Sequence, residues 1–134
     1  MNSNRDIAAL VARILLSIMF IKSGFGKIPG FEGTAGYIAS KGLPMPQLLA
    51  IGAIVVELGG GLLLLVGYKA RWAALAIFLF LIPTLLFFHN FWTFPPDQYQ
   101  TQQIQFMKNL TIMGGMLMVW AFGPGRFALD RDTA

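Results

Sequence analysis

The 134 residues are 56% hydrophobic and only 12% charged, with a mean hydropathy of +0.65, a balance too apolar for a soluble domain with a polar skin. The absence of cysteine excludes thiol exchange, thiolate metal sites, disulfides and haem attachment through CxxCH. The net charge of +4 comes from scattered basic residues, three of them inside apolar runs, and reads as orientation signalling in a membrane rather than a nucleic-acid surface.

Four apolar runs of about 18 to 22 residues use most of the length and predict a single transmembrane domain over residues 1–134. The first span, about 7–26, continues into a Gly-rich turn without a small-residue cleavage site and carries Arg13, so it is not read as a signal peptide. At 100° per residue, Arg13, Ser17, Phe20 and Gly24 share one face, joined by Lys27 if the helix runs on. Lys22 lies opposite and snorkels to the surface.

Between Pro29-Gly30 and Pro44 the spacing predicts a short interfacial helix over about 32–41. Gly42 is its C′ residue, and Phe31, Ala35 and Ile38 are expected on the lipid side. The second span, about 47–67, carries one carboxylate, Glu57, on a face shared with Ala53 and Gly61. An ionisable group there costs roughly 2.5 to 3.5 kcal/mol on insertion scales, so this face is expected inside. The adjoining Gly59-Gly60-Gly61 reads as room for a neighbouring helix, with room for a flat ligand as the rarer use.

The third span, about 72–92, is interrupted by Pro83 and ends in His89, Asn90 and an aromatic group that forms an interfacial belt. The fourth, about 103–122, starts in a glutamine-rich stretch in which Gln102, Gln105 and Asn109 form one stripe with Lys108 beside it. Arg5, Lys69, Arg71, Arg126 and Arg131 fall on one side of the membrane and Lys27 and Lys41 on the other. This places both termini in the cytoplasm. The fold class is therefore an all-α integral membrane four-helix bundle with a short interfacial helix between spans one and two.

With a rise of about 1.5 Å per residue, Arg13 and Glu57 differ in height by about 6 Å, within reach of an ion pair. Lys108, Asn109 and His89 continue the polar column outward. For each member a bland role stands beside the functional one. Arg13 and Glu57 form a structural pair, His89 an interfacial hydrogen bond, Lys108 a snorkelling cation and the glutamine stripe an interhelical contact. Taken together they suit a planar carbonyl compound, its oxygens held by His89, Lys108, Asn109 or Arg13 and its ring and tail by Phe and Leu. One imidazole excludes bis-His haem within the chain, and too few His and carboxylate groups are present for a three-ligand zinc site.

Arg13 with FIKSGFGK at 20–27, GLP at 42–44, VELGGGLLLLVG at 56–67, HNFW at 89–92 and QFMKNLTIMGG at 105–115 resembles the DoxX family of small bacterial membrane proteins, over nearly the whole chain. The resemblance implies four transmembrane helices, an inner-membrane location and an association with quinone-linked or sulfur-linked redox chemistry. Carried over by position, it marks Arg13, Lys27, Glu57, His89, Lys108 and Asn109, whereas Lys22 departs from its pattern.

These readings converge on a small inner-membrane subunit that binds a quinone or similar lipophilic redox molecule beside a membrane oxidoreductase system. Glu57 and His89 are its candidate proton-managing, catalytic pair, and Arg13, Lys27, Lys108 and Asn109 its candidate ligand-binding residues. No redox-cofactor ligand set is visible in the chain itself. Its partners are then the lipid bilayer, the lipophile, and a redox subunit or a second copy, with no nucleic acid. A non-enzymatic structural or assembly protein and a small solute or proton pathway are the rival readings.

Overall fold

A computed structural model describes residues 3–129, and among these the regular structure is entirely helical. Helix α1 spans Ser3–Lys27 and α2 Phe31–Ser40. Helices α3 (Pro46–Ile54) and α4 (Gly60–Val66) are joined by a π-helical turn, Val55–Gly59, into one rod. Helix α5 covers Ala70–Phe88, a 3₁₀ turn covers Phe91–Thr93, and α6 covers Pro96–Phe122.

Among the described residues three helical stretches are long and apolar enough to cross a membrane: Ser3–Lys27, Pro46–Val66 and Ala70–Thr93. They coincide with the first three expected spans. The expected fourth, 103–122, lies inside α6, whose 27 residues are long enough to span but whose first three turns are mostly polar.

Helix α1 packs on α4 and the π turn, α4 on α5, and α5 along α6. The core between them is built from Phe20, Leu64, Ala74, Ile77, Leu81, Leu85 and Met116. Two of the three successive glycines set the closeness of this packing. A Cβ on Gly60 would stand 3.2 Å from Ile77 of α5, and one on Gly61 would stand 2.9 Å from Ile21 of α1. A Cβ on Gly59 would meet nothing within 4 Å. Ala53, Glu57 and Gly61 all face inward, as their spacing predicts. The wider π turn takes up the drift that residues four apart accumulate around a 3.6-residue helix.

The short helix falls where expected, with Lys41 as its C-cap and Gly42 following at φ 78. Its orientation differs from expectation. Ala35 and Ile38 are buried against Ala50, with Phe31, Leu43 and Phe88 packed around them, so this face covers α3 instead of lipid. The apolar residues of a ten-residue amphipathic helix look the same whether a bilayer or a neighbouring helix receives them. The chain then enters α3 through Met45 at φ 50, and Pro46 opens that helix where its missing N–H costs nothing.

Candidate functional site

Glu57 is carried by the π turn and is only 6% exposed. Its Oε2 accepts a hydrogen bond from Ser23 Oγ at 2.7 Å. Lys27 Nζ lies 2.7 Å from the other oxygen, Oε1, and donates to Ser23 Oγ at 2.8 Å. The three side chains close a triangle in which Ser23 bonds Oε2 and Lys27 forms an ion pair with Oε1. Gly24 makes this approach possible, because a Cβ there would stand 2.6 Å from the Leu58 backbone nitrogen. Ser23 and Lys27, one helical turn apart, thereby reach across to the carboxylate.

The triangle forms part of the wall of a cavity of about 1260 Å³. Its surface is mostly apolar, with Phe20, Leu48, Leu49, Val56, Phe80 and Phe87 among the lining groups. Helix α6 adds Gln105, Lys108 and Asn109 to the lining, and His89 follows α5 into it. Asn109 is 5% exposed, and its side-chain amide makes no hydrogen bond to any described residue. His89 pairs through Nδ1 with Gln102 Oε1 at 3.0 Å, leaving Nε2 as the ring's open position. Tyr37 of α2 stacks on Phe88 and also lines the cavity, so the short helix closes part of its wall.

Relative depth follows from one contact. Leu16 of α1 packs on Gly115 of α6, where a Cβ would stand 3.1 Å from the leucine side chain. From that level Ser23 is seven residues along α1 and Asn109 six back along α6, rises of about 10 and 9 Å in the same direction. Glu57, bonded to Ser23, and Asn109 therefore line the cavity at nearly one depth. Gln102 and its partner His89 lie about 10 Å further towards the start of α6.

Arg13 is elsewhere, and the expected pair with Glu57 does not form. Its Nε donates to Pro124 O at 2.9 Å, and its Nη1 donates to Leu64 O and Leu65 O at 3.0 and 2.9 Å. Its Nη2 donates to Phe127 O. The guanidinium, 1% exposed, ties the last turn of α4 to the chain following α6. Ten residues of α1, about 15 Å of rise, separate Arg13 from Ser23, which explains why the arginine finds carbonyls and not the carboxylate. The polar column thus divides into a clamp where the last turn of α4 meets the chain following α6 and a separate cavity.

The cavity gathers Lys27, Glu57, His89, Lys108 and Asn109 and leaves out Arg13. Sequence reasoning missed Ser23 as the hydrogen-bond donor to Glu57. The signal was present: Ser23 and Lys27 are four apart with Gly24 between them, a pattern for a polar helix face placed close to a neighbour.

The sequence profile of the DoxX family matches residues 8–90. The chain is 38% identical to Inner membrane protein YphA of Escherichia coli (strain K12) over 127 residues, 95% of this chain and 91% of that protein. It is 40% identical to Inner membrane protein YqjF of the same organism over 131 residues, 98% of this chain and 95% of that protein. It is also 35% identical to CatD of Bacillus subtilis (strain 168), whose name carries a provisional oxidoreductase assignment, over 86 residues, 64% of this chain and 63% of that protein. No solved structure matches the chain.

Proposed function

This chain belongs to the DoxX family, and we propose that it is a bacterial inner-membrane subunit that binds a quinone or similar lipophilic redox molecule in the cavity beside Glu57. The observation carrying this reading is the cavity itself: a large apolar space at membrane depth whose few polar groups include a buried carboxylate and a buried, unpartnered amide. Its volume accommodates a ring and several isoprenoid-sized carbons. The names of YphA and YqjF support the inner-membrane location, and that of CatD supports a redox association.

In this reading residues 1–134 form one unit of four spans, with the inner part of α6 as the fourth. Gln105, Lys108 and Asn109 turn towards the cavity, which is how a helix with polar residues crosses a bilayer at tolerable cost. Both termini are cytoplasmic, on the side of Arg5, Lys69, Arg71, Arg126 and Arg131. Glu57 and Asn109 contact the head group, Lys27 pairs with Glu57, and Lys108 and His89 stand towards the outer mouth, where protons reach the site. Electrons pass through the bound molecule to a partner subunit.

The test is titration of the purified protein with a short-tailed benzoquinone, comparing the parent with Glu57→Gln, Asn109→Leu and His89→Ala. Binding that weakens about tenfold or more in the Glu57 and Asn109 variants supports the site. Equal binding in all four proteins sinks it.

A further inference from the structure

We propose that the cavity takes a lipophilic anion: a head group with one negative charge on oxygen, held by Lys108 and Asn109 of α6, on an apolar tail that leaves between α3 and α5 into the bilayer. The inference rests on the reading of the cavity as a site for a lipophile, and it adds the charge of the head group and the path of its tail.

The polar wall carries one positive charge that nothing in the chain offsets. Both oxygens of Glu57 are engaged, Oε2 by Ser23 and Oε1 by Lys27, so Lys27 and Glu57 cancel. Lys108 lines the same cavity and makes no ion pair or hydrogen bond with any described residue. Two cations and one carboxylate therefore leave a single positive charge on the lining. An ammonium within a spanning stretch is costly unless it meets a partner, a cavity or the interface. Lys22 is exposed on α1 and takes no part in the lining, whereas Lys108 borders the cavity.

The next residue is placed to act with it. Asn109 is buried and has no partner among the described residues, yet its amide is not sealed in protein and opens on the cavity it lines. An amide offers a donor edge and an acceptor edge alike, and the ammonium on the preceding residue decides which of them a head group uses. An oxyanion accepts from the Asn109 N–H and from Lys108 in charge-assisted bonds, which are about twice as strong as neutral ones. The low dielectric of apolar walls weakens that attraction least.

The tail follows from the rest of the wall. Helix α3 packs on α2, α1 and the π turn, and α5 on α4, the π turn and α6, which leaves α3 and α5 apart. Leu48 and Leu49 of α3 and Leu79 and Phe87 of α5 line the cavity and are still 41–58% exposed, so the space between them opens sideways. All four are apolar and lie in stretches long enough to cross a membrane, so the opening faces lipid chains. A small hydrated anion gains nothing from such walls, whereas an alkyl or isoprenoid tail buries its surface there.

The experiment titrates two probe pairs into the purified protein in an uncharged detergent at neutral pH. One pair is dodecanoate and its methyl ester; the other is a long-chain hydroxynaphthoquinone, ionised at that pH, and its neutral methyl ether. At least one anion is expected to bind about tenfold tighter than its neutral twin. In Lys108→Gln that ratio falls to about threefold or less, and in Lys22→Gln it persists. Acetate, an oxyanion without a tail, is expected not to displace the bound anion, and displacement would overturn the assignment of the tail. A preference confined to the hydroxynaphthoquinone pair supports the proposal with a quinone-type head. One confined to dodecanoate supports the proposal with a carboxylate head and removes the quinone-site reading. Equal binding within both pairs in the parent, or a preference unchanged in a folded Lys108→Gln protein, overturns the proposal and leaves the quinone-site reading to the benzoquinone titration. Since the ratios are measured first in the parent, the test does not depend on a variant folding. Failure of all four probes to bind the folded parent removes both readings.

Discussion

Arg13 and Glu57 are predicted to be energetically independent, and a double-mutant cycle decides it. The carbonyls that close the last turn of α4 are received in three ways. Leu63 O takes the Gly67 and Tyr68 amides, and Val66 O takes the Leu129 amide. Leu64 O and Leu65 O take Arg13 Nη1. Arg13→Ala strands these two, and an unsatisfied buried carbonyl costs about 1–3 kcal/mol, so the loss is about 2–6 kcal/mol before relaxation. Glu57→Gln removes the charge beside Lys27 some 15 Å away along α1, where effects add to within about 0.5 kcal/mol. Thermal unfolding in detergent of the parent, Arg13→Ala, Glu57→Gln and the double variant measures this. In the companion cycle, Lys27→Met with Glu57→Gln, the coupling is expected to exceed about 1 kcal/mol, because Lys27→Met alone leaves the buried Glu57 charge unpaired. A coupling above about 1 kcal/mol between Arg13 and Glu57 would refute the placement of the arginine and restore the ion pair.

The glycines separate by neighbour. Gly24→Ala drives a methyl group into the Leu58 backbone and is expected to cost about 1–3 kcal/mol, whereas Gly59→Ala meets open space and stays within about 1 kcal/mol of the parent or stabilises it. Equal melting temperatures for the two variants would contradict the helix spacing. Gly67→Ala forces a side chain onto φ 76 and towards Ala128 and Arg13, so limited proteolysis is expected to cut the chain beyond Phe122 sooner than in the parent. Ala35→Leu overfills the contact of α2 with α3 and lowers thermal stability by about 1–3 kcal/mol, whereas a lipid-facing Ala35 would accept leucine without loss.

The apolar runs and their punctuation were legible because they answer to local rules. Gly42 ends the short helix in the left-handed region, and Pro46 opens α3. The inward face of Ala53, Glu57 and Gly61 followed from helical periodicity. What periodicity does not carry is the identity of the partner. Arg13 and Glu57 each face inward, yet one meets carbonyls contributed by the chain after α6 and the other meets Ser23 and Lys27. That choice depends on which depths coincide when α1 slides against α4, and Gly24 on Leu58 sets it through tertiary contact alone. The π turn was invisible for a similar reason: VVELG has no residue that demands it, and it forms where packing on both sides of Glu57 requires one more residue per turn. The polar half of α6 hid the remaining ambiguity, since Gln105, Lys108 and Asn109 read equally as a helix outside the bilayer or a cavity wall within it.

The central claim is that the Glu57–Asn109 level of the cavity holds a lipophilic redox molecule. Mass spectrometry of small molecules extracted from protein purified in mild detergent tests it most directly, with the parent compared against Glu57→Gln and Asn109→Leu. The account predicts a co-purified quinone or quinol in the parent that is depleted in both variants. A well-folded parent that carries no such lipophile, or one carrying it equally in all three proteins, would contradict it.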